Sequence, residues 1–436
     1  MSSTALAASL ARRNIHYGWV VVAATFLTML VTAAAMGTPG VLIVPLEHEF
    51  GWSDAQISSA LALRIVLYGL FGPFAAAFMN RFGVRRVVIC ALALIAGGLL
   101  VSLAMTQLWQ LIVLWGIVVG VGTGLTAMVL AATVATRWFN HRRGLVMGML
   151  AASSATGQLV FLPLIAELTT RFGWRVALVF VSGVLTLTAI AVLVLMRDRP
   201  SDLNLPLYGE TALSPPPPAG VGLVSLLMSP LIVLRDCVRV PIFWVLFATF
   251  FVCGCSTNGL VQTHFITLCH DYGLAATAAA SVLAMMGAFD FIGTIGSGWL
   301  SDRFDNRWLL FWYYGLRGLS LLYLPFTDFT FYGLSLFAVF YGLDWIATVP
   351  PTVKLTADRF GRERAGMVFG WVFAGHQIGA ASAAFGAGLI RTEYSTYLPA
   401  FFIAGALCLF AALLVLTVRK SSASGIGVAS PAPARA

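Results

Sequence analysis

What most constrains this chain is the recurrence of long apolar stretches. A helix needs about 20 mostly apolar residues to cross a bilayer. The sequence supplies such stretches at 17–44, 54–79, 85–105, 108–136, 144–170, 173–196, 242–268, 276–301, 308–326, 329–357, 365–390 and 397–418, separated by short polar clusters. With 59% of 436 residues hydrophobic and 10% charged, a water-soluble globule has too little interior to hide its apolar surface. Lipid offers the backbone no hydrogen-bond partners, so each stretch has to be a helix. The expected fold class is an all-α membrane protein with twelve transmembrane helices. Several stretches exceed the minimum length, as tilted or kinked helices do. Pro39, Pro45, Pro350 and Pro351 are candidate kink positions.

Basic residues resist translocation, so their distribution predicts orientation. With both termini on the cytoplasmic side, 20 of the 26 Lys and Arg fall in cytoplasmic segments, and only Arg171, Arg175 and Arg391 fall on the opposite face. Arg64, Arg317 and Lys354 lie inside the apolar stretches. The net charge of +9 follows from this partition and points to anionic lipid at the cytoplasmic face rather than to nucleic acid. The first stretch is too long for a signal peptide's apolar region and reads as a retained helix. Six cysteines form no disulfide or metal framework, and no cofactor is expected.

Sliding the chain against itself by 222 residues brings its landmarks into register: Gly51 meets Gly273, Arg81 meets Arg303, Arg85 meets Arg307, Gly144 meets Gly366, Gly148 meets Gly370, and Gly157 meets Gly379. Both sets of arginines must lie on one face, so each repeat holds an even number of spans, and six fits. The repeats are therefore parallel, an arrangement that places a solute between two rigid halves near the bilayer midplane. The domain reading is an N-terminal bundle at 1–196, a cytoplasmic linker at 197–241 carrying Pro215 to Pro218, a C-terminal bundle at 242–418 and a cytoplasmic tail at 419–436.

The loop after the eighth stretch, Gly298-Trp-Leu-Ser-Asp302-Arg303-Phe-Asp305-Asn-Arg307, and that after the second, Ala76-Ala-Phe-Met-Asn80-Arg81-Phe-Gly83-Val-Arg85-Arg86, resemble the G-x-x-x-D-R-x-G-R-R loop of the major facilitator superfamily. Ala76, Asn80 and Asp305 depart from that pattern, which implies a weaker charge lock in the N-terminal half. Ile15-His-Tyr17-Gly18-Trp19, the glycine run from Gly116 to Gly124, Thr263-His264-Phe265 and Asp290 are similar to bacterial monocarboxylate transporters and oxalate:formate antiporters. Those carriers commonly place an arginine one turn beyond the aspartate, where this chain has Thr294, so their anion site does not transfer directly.

A charge at the bilayer centre costs about 2.5 to 3.5 kcal/mol on insertion scales, so each such residue calls for a partner, a wet cavity or a role. Arg64, with Tyr68 one turn on, suits a carboxylate bidentately; a structural arginine bonded to backbone carbonyls is the alternative. Asp290, followed by Thr294 and Ser297 at helical spacing, is a candidate proton-coupling group or the ion-pair partner of Arg317. Arg317 is expected to reach Asp290 or Asp344 and so join the eighth, ninth and tenth helices. Lys354 can snorkel to the surface. His264 and His376 are candidates for gating or proton relay, with hydrogen-bonded packing as the alternative. Thr25, Thr28, Thr32, Ser154, Gln158, Asn258 and Gln262 form polar stripes that suit cavity walls or helix packing.

The residues and the resemblance together imply a secondary transporter for a small organic anion, with Arg64, Tyr68, Thr32, Asn258, Gln262 and His376 at the substrate and Asp290, Arg317, Asp344 and His264 in coupling or ion pairing. Asn80, Arg81, Gly83, Arg85, Asp302, Arg303 and Arg307 would form the gating loops. Protons or a counter-anion are the expected co-substrates, membrane lipid the surroundings, and the chain reads as a monomer. Export of lipophilic or cationic compounds through Asp290, Asp344 and the aromatic residues is the competing function, and a solute sensor a third. The chain contains no G-x-x-x-x-G-K-[ST] phosphate loop, and its residues form no recognisable catalytic constellation.

Overall fold

The structure, a computed structural model, describes Ala7, residues 9–213 and residues 223–418. The helices that follow are α1 (Gly18–Phe50), α2 (Asp54–Leu70 with Gly72–Phe82), α3 (Val84–Val101), α4 (Leu108–Trp138), α5 (Arg143–Phe172) and α6 (Trp174–Leu195). After the linker come α7 (Pro241–Asp271), α8 (Ala276–Ser301), α9 (Asn306–Tyr323), α10 (Phe331–Phe360), α11 (Arg362–Tyr394) and α12 (Leu398–Leu416). Nine of these among the described residues are long and apolar enough to cross a membrane, and the bent α2 makes ten. The remaining two, α9 and α11, have 18 and 33 residues but carry Arg317, His376 and Gln377. Large apolar side chains such as Leu187 and Leu413 stand exposed on the outside, as a lipid-facing surface requires.

The constant offset has a packing cause. Gly157 lets α5 lie against the Leu30 carbonyl of α1, and its counterpart Gly379 lets α11 lie against the Phe251 carbonyl of α7; a Cβ would sit 2.2 Å and 2.1 Å from those oxygens. The same rule joins the halves: Gly144 and Gly148 of α5 press on α8 at Gly298 and Thr294, while Gly366 and Gly370 of α11 press on Ala76, Gly72 and Pro73 of α2. Gly51 and Gly273 both take a left-handed turn, with φ of 67° and 83°, where α1 and α7 end. These turns need a residue without a Cβ penalty.

The helices bend in places the prolines alone do not mark. α1 runs unbroken through Pro39 and Pro45, whereas α2 bends by 55° at Phe71, two residues before Pro73. α4 carries a π-helical turn at Ile112–Val118 and a break at Thr126 and Ala127; α7 has a π-turn at Cys255–Val261. α10 breaks over 345–348, just ahead of Pro350 and Pro351. Shifted back by 222 residues that break falls at 123–126, so it overlaps the α4 break at Thr126.

The linker is more ordered than a proline-rich tether. Pro215 to Pro218 lie outside the described residues, as does the tail from Arg419 onward. On either side, however, 198–210 folds back on the N-terminal bundle, and Leu223–Cys237 is a helix whose Val224, Met228 and Leu231 are exposed, as befits a helix at the membrane surface. Tyr208 pairs with Trp138, Asn140 and His141 through backbone hydrogen bonds of 2.9 to 3.2 Å, and Glu210 reaches Arg362 of α11 at 3.2 Å.

Candidate functional site

The end of the bundle that carries the arginine clusters is closed by contacts between the halves. Asp302, at the end of α8, accepts the Gly144 and Leu145 amides at 2.8 and 2.9 Å, so its carboxylate caps the positive end of α5. The equivalent residue Asn80 offers only an amide, which donates to the Glu363 carbonyl at 3.4 Å while its oxygen takes a hydrogen bond from Arg137. Gly83 has φ of 88° and lies against Asp198, whose carboxylate accepts the Arg85 amide at 2.8 Å. Arg81 and Arg303 stack over Phe82 and Trp299, and Arg307 pairs with Asp305 at 2.6 Å. Lys354 does not simply snorkel outward: it donates to the Ser301 carbonyl at 2.6 Å and lies 3.6 Å from Asp302.

In the N-terminal half Arg64 is 5% exposed and donates to the Met36 carbonyl at 2.9 Å and the Ala35 carbonyl at 3.4 Å. Ala35 lacks the usual amide donor four residues on, because residue 39 is proline. Arg64 thus meets a backbone need of α1, as the structural alternative holds, and still keeps Nε without a partner among the described residues. The hydroxyl of buried Thr32 on α1 is likewise unpartnered among them, whereas Thr25 and Thr28 bond back to their own helix. Tyr68 is half-buried, its ring edge-on to Phe373 of α11 at 5.5 Å; Phe373 in turn stacks on His376 at 5.8 Å. His376 Nδ1 has no partner among the described residues. Asn258 is half-buried in the π-turn of α7, and Gln262 is exposed one turn further. Ser154 is half-buried, and the side chain of Gln158 lies outside the described residues.

In the C-terminal half the ion pair is Arg317 with Asp344, at 2.7 Å between helices that both bury it completely or nearly so. Arg317 also donates to the Asp344 and Trp345 carbonyls and, at 3.0 Å, to the sulfur of Cys253 on α7. Asp290 is not paired with Arg317. Its Oδ1 accepts the Thr294 hydroxyl at 2.8 Å and the Ile346 amide at 2.9 Å, and Oδ2 has no partner among the described residues. Asp344 Oδ2 takes the Arg317 contact, and its Oδ1 has no partner among the described residues. His264 is bonded at both ring nitrogens: Nε2 donates to the Ala384 carbonyl at 2.9 Å, leaving Nδ1 to accept from the Tyr397 hydroxyl at 3.2 Å.

Sequence reasoning missed the Cys253 contact, the Tyr208–Glu210 strap and the role of Ile346. A signal existed only for the other side of this break: Pro350 and Pro351 remove the amides that would serve the Ile346 and Ala347 carbonyls, and the Ser297 hydroxyl is the outside donor that Ala347 receives.

Two parallel six-helix bundles, glycine-packed against each other at one end and holding buried charges between their helices, define a membrane transporter. The chain belongs to the Major Facilitator Superfamily, whose profile matches residues 25–352 and 266–435; it is a transporter and not an enzyme. It is 27% identical over 405 residues to monocarboxylate transporter 13 of Rattus norvegicus, covering 92% of this chain and 89% of that protein. It is 21% identical over 388 residues to the uncharacterized MFS-type transporter YcxA of Bacillus subtilis, covering 87% and 90%. Among solved structures it resembles the human organic anion transporter MFSD10 at a TM-score of 0.70 and 15% identity, covering 91% of this chain and 99% of that one. The proton:xylose symporter XylE matches at 0.68 and 14%, covering 92% and 95%. At that identity the likeness concerns the fold alone.

Proposed function

We propose that this protein moves a small organic anion, a monocarboxylate, across the inner membrane of a bacterial cell by alternating access, coupled to proton symport or to anion exchange. In this reading both termini and the linker are cytoplasmic, and the closed end of the bundle faces the cytoplasm. The observation that carries the substrate class is Arg64: a buried guanidinium in the N-terminal half whose Nε is unbonded among the described residues, bonded to the α1 carbonyls just ahead of Pro39. A carboxylate entering a low-dielectric cavity needs a fixed cation, and arginine supplies one that does not deprotonate. Relatives called monocarboxylate transporters, at 27% identity over 92% of the chain, support the same class. Thr32, Tyr68 and His376, with Asn258 and Gln262, would complete the contacts, and Asp290 would carry the coupling charge.

The test is uptake of labelled monocarboxylates into proteoliposomes. Arg64→Gln should nearly abolish uptake while the protein still inserts and purifies; Arg64→Lys keeps the charge without the fork and should weaken apparent affinity severalfold. Wild-type affinity in Arg64→Gln would sink the assignment.

A further inference from the structure

The break in α10 is held by side chains from two other helices. Over 344–348 the helical ladder fails: the Trp345 amide bonds to Gly342 and the Val349 amide to Ile346, three residues back rather than four. The groups this leaves unmet are served from outside. Asp290 of α8 accepts the Ile346 amide at 2.9 Å; Ser297, two turns further along α8, donates to the Ala347 carbonyl at 2.5 Å. Arg317 of α9 covers the Asp344 and Trp345 carbonyls. The break in α4, which overlaps it in the repeat where Thr126 matches Thr348, is the internal control. There Thr126 bonds only within its own helix, to Gly122 and Thr123, and the Thr126 and Ala127 amides turn back to Thr123 and Gly124. One repeat has a self-contained bend, the other a bend clamped by an ionisable carboxylate.

We propose that Asp290 is a positioning residue for the α10 hinge, and that its protonation loosens the clamp and so frees the lower part of α10 to move. This rests on the reading of Asp290 as the coupling group. Oδ1 is occupied twice, by Thr294 and Ile346, so an incoming proton goes to the unpartnered Oδ2. Oδ1 then accepts as a neutral carbonyl, and a charge-assisted hydrogen bond roughly twice as strong as a neutral one is exchanged for the weaker kind. The charged and titratable groups that face Asp290 are Arg317 of α9 and Asp344 of α10, bonded to each other, and Cys253 of α7, bonded to Arg317. From α5 of the other half, Gly148 presses on the Thr294 carbonyl, one turn from Asp290. On its other side α8 meets α10, where a Cβ at Gly293 would lie 1.9 Å from the Leu343 oxygen. A shift of the hinge therefore bears directly on α8, and through α8 on the interface between the halves.

The experiment measures the distance between spin labels at Phe172 and Tyr394, exposed positions in opposite halves at the end away from the arginine clusters, in a Cys90→Ser background, as a function of pH. Wild type should show two distance populations whose ratio moves severalfold with pH. Asp290→Asn keeps an acceptor for the Ile346 amide without charge, and should fix the ratio near its acidic value at every pH. Ser297→Ala removes a hinge contact without touching the charge, and should shift the same equilibrium towards the acidic population while leaving it pH-dependent. A wild-type ratio that ignores pH refutes the coupling role itself. A ratio that titrates alike in wild type and Asp290→Asn, or is untouched by Ser297→Ala, refutes the hinge while leaving Arg64 and the substrate reading intact.

Discussion

The buried pair of Arg317 and Asp344 offers a quantitative test of what holds the C-terminal half together. Arg317 has no exposed surface and makes hydrogen bonds to one carboxylate, two carbonyls and one sulfur. Arg317→Met keeps length and apolar bulk but strands all of them. Removing one partner of a buried ion pair costs about 3 to 5 kcal/mol, and each stranded carbonyl about 1 to 3 kcal/mol. Local relaxation recovers part of that sum, so the single variant should lose about 5 kcal/mol. Asp344→Leu leaves the cation unpaired and should lose about 3 to 5 kcal/mol. With both changes no charge is left stranded, and the double variant should be no less stable than either single one. The cycle then returns a coupling at least as large as the bigger single loss, about 5 kcal/mol, above the roughly 0.5 to 3 kcal/mol usual for residues in contact. Equilibrium unfolding of the four proteins in mixed detergent and dodecyl sulfate micelles, followed by circular dichroism, measures it. A double variant as unstable as the two single losses added together, or an Arg317→Met protein with wild-type stability, refutes the clamp.

Other consequences are open to simpler measurements. Asp302→Asn keeps the shape but not the charge at the N-terminus of α5, an interaction worth about 0.3 to 1 kcal/mol; the closed population, read from labels on exposed Cys90 and Trp308, should fall by up to fivefold, and an unchanged distance distribution would show that Asp302 does not latch the halves. Glu49 lies beyond the membrane-crossing part of α1, Gly18–Thr38, where the Arg175 guanidinium and the Trp174 indole hold its carboxyl below the ordinary range. Its stabilising contribution is therefore complete above the usual carboxylate pKa and fades as pH falls through the lowered one, so Glu49→Gln should flatten the acid limb of the stability curve; an acid limb identical to wild type counts against the clasp. A cysteine at exposed Leu213 should react with an impermeant maleimide only after cells are opened, and labelling of intact cells would reverse the proposed topology.

The spans and the repeat were legible because lipid imposes length and hydropathy on every crossing, and because close helix packing ties glycine to fixed positions. Gly157 with Gly379 and Gly51 with Gly273 are the same structural demand met twice. Kinks were less legible. α1 absorbs Pro39 and Pro45 without a break, since Arg64 serves the carbonyl that Pro39 strands, and that donor sits 29 residues away on another helix. The bend at Phe71 did have a local signal in Pro73, and the π-turns of α4 and α7 had none. Charge pairing was half legible: the sequence identified Arg317, Asp290 and Asp344 as a set, but only the depth of each along its helix decides that Arg317 meets Asp344. Cys253 gave no signal beyond its place in an apolar span, although it is the soft acceptor that completes the guanidinium.

The departures from the repeat carry as much information as the matches. At the basic end the first repeat has Asn80 where the second has Asp302, so one interface between the halves is latched by a charge on a helix end and the other by a long amide contact. At mid-depth the first repeat places a permanent cation, Arg64, against α1, while the second places a carboxylate, Asp290, against the break in α10. Under the proposed function, this divergence splits the labour between the halves: a fixed charge for an anion on one side, and on the other a group able to change its charge, attached to a helix able to change its shape.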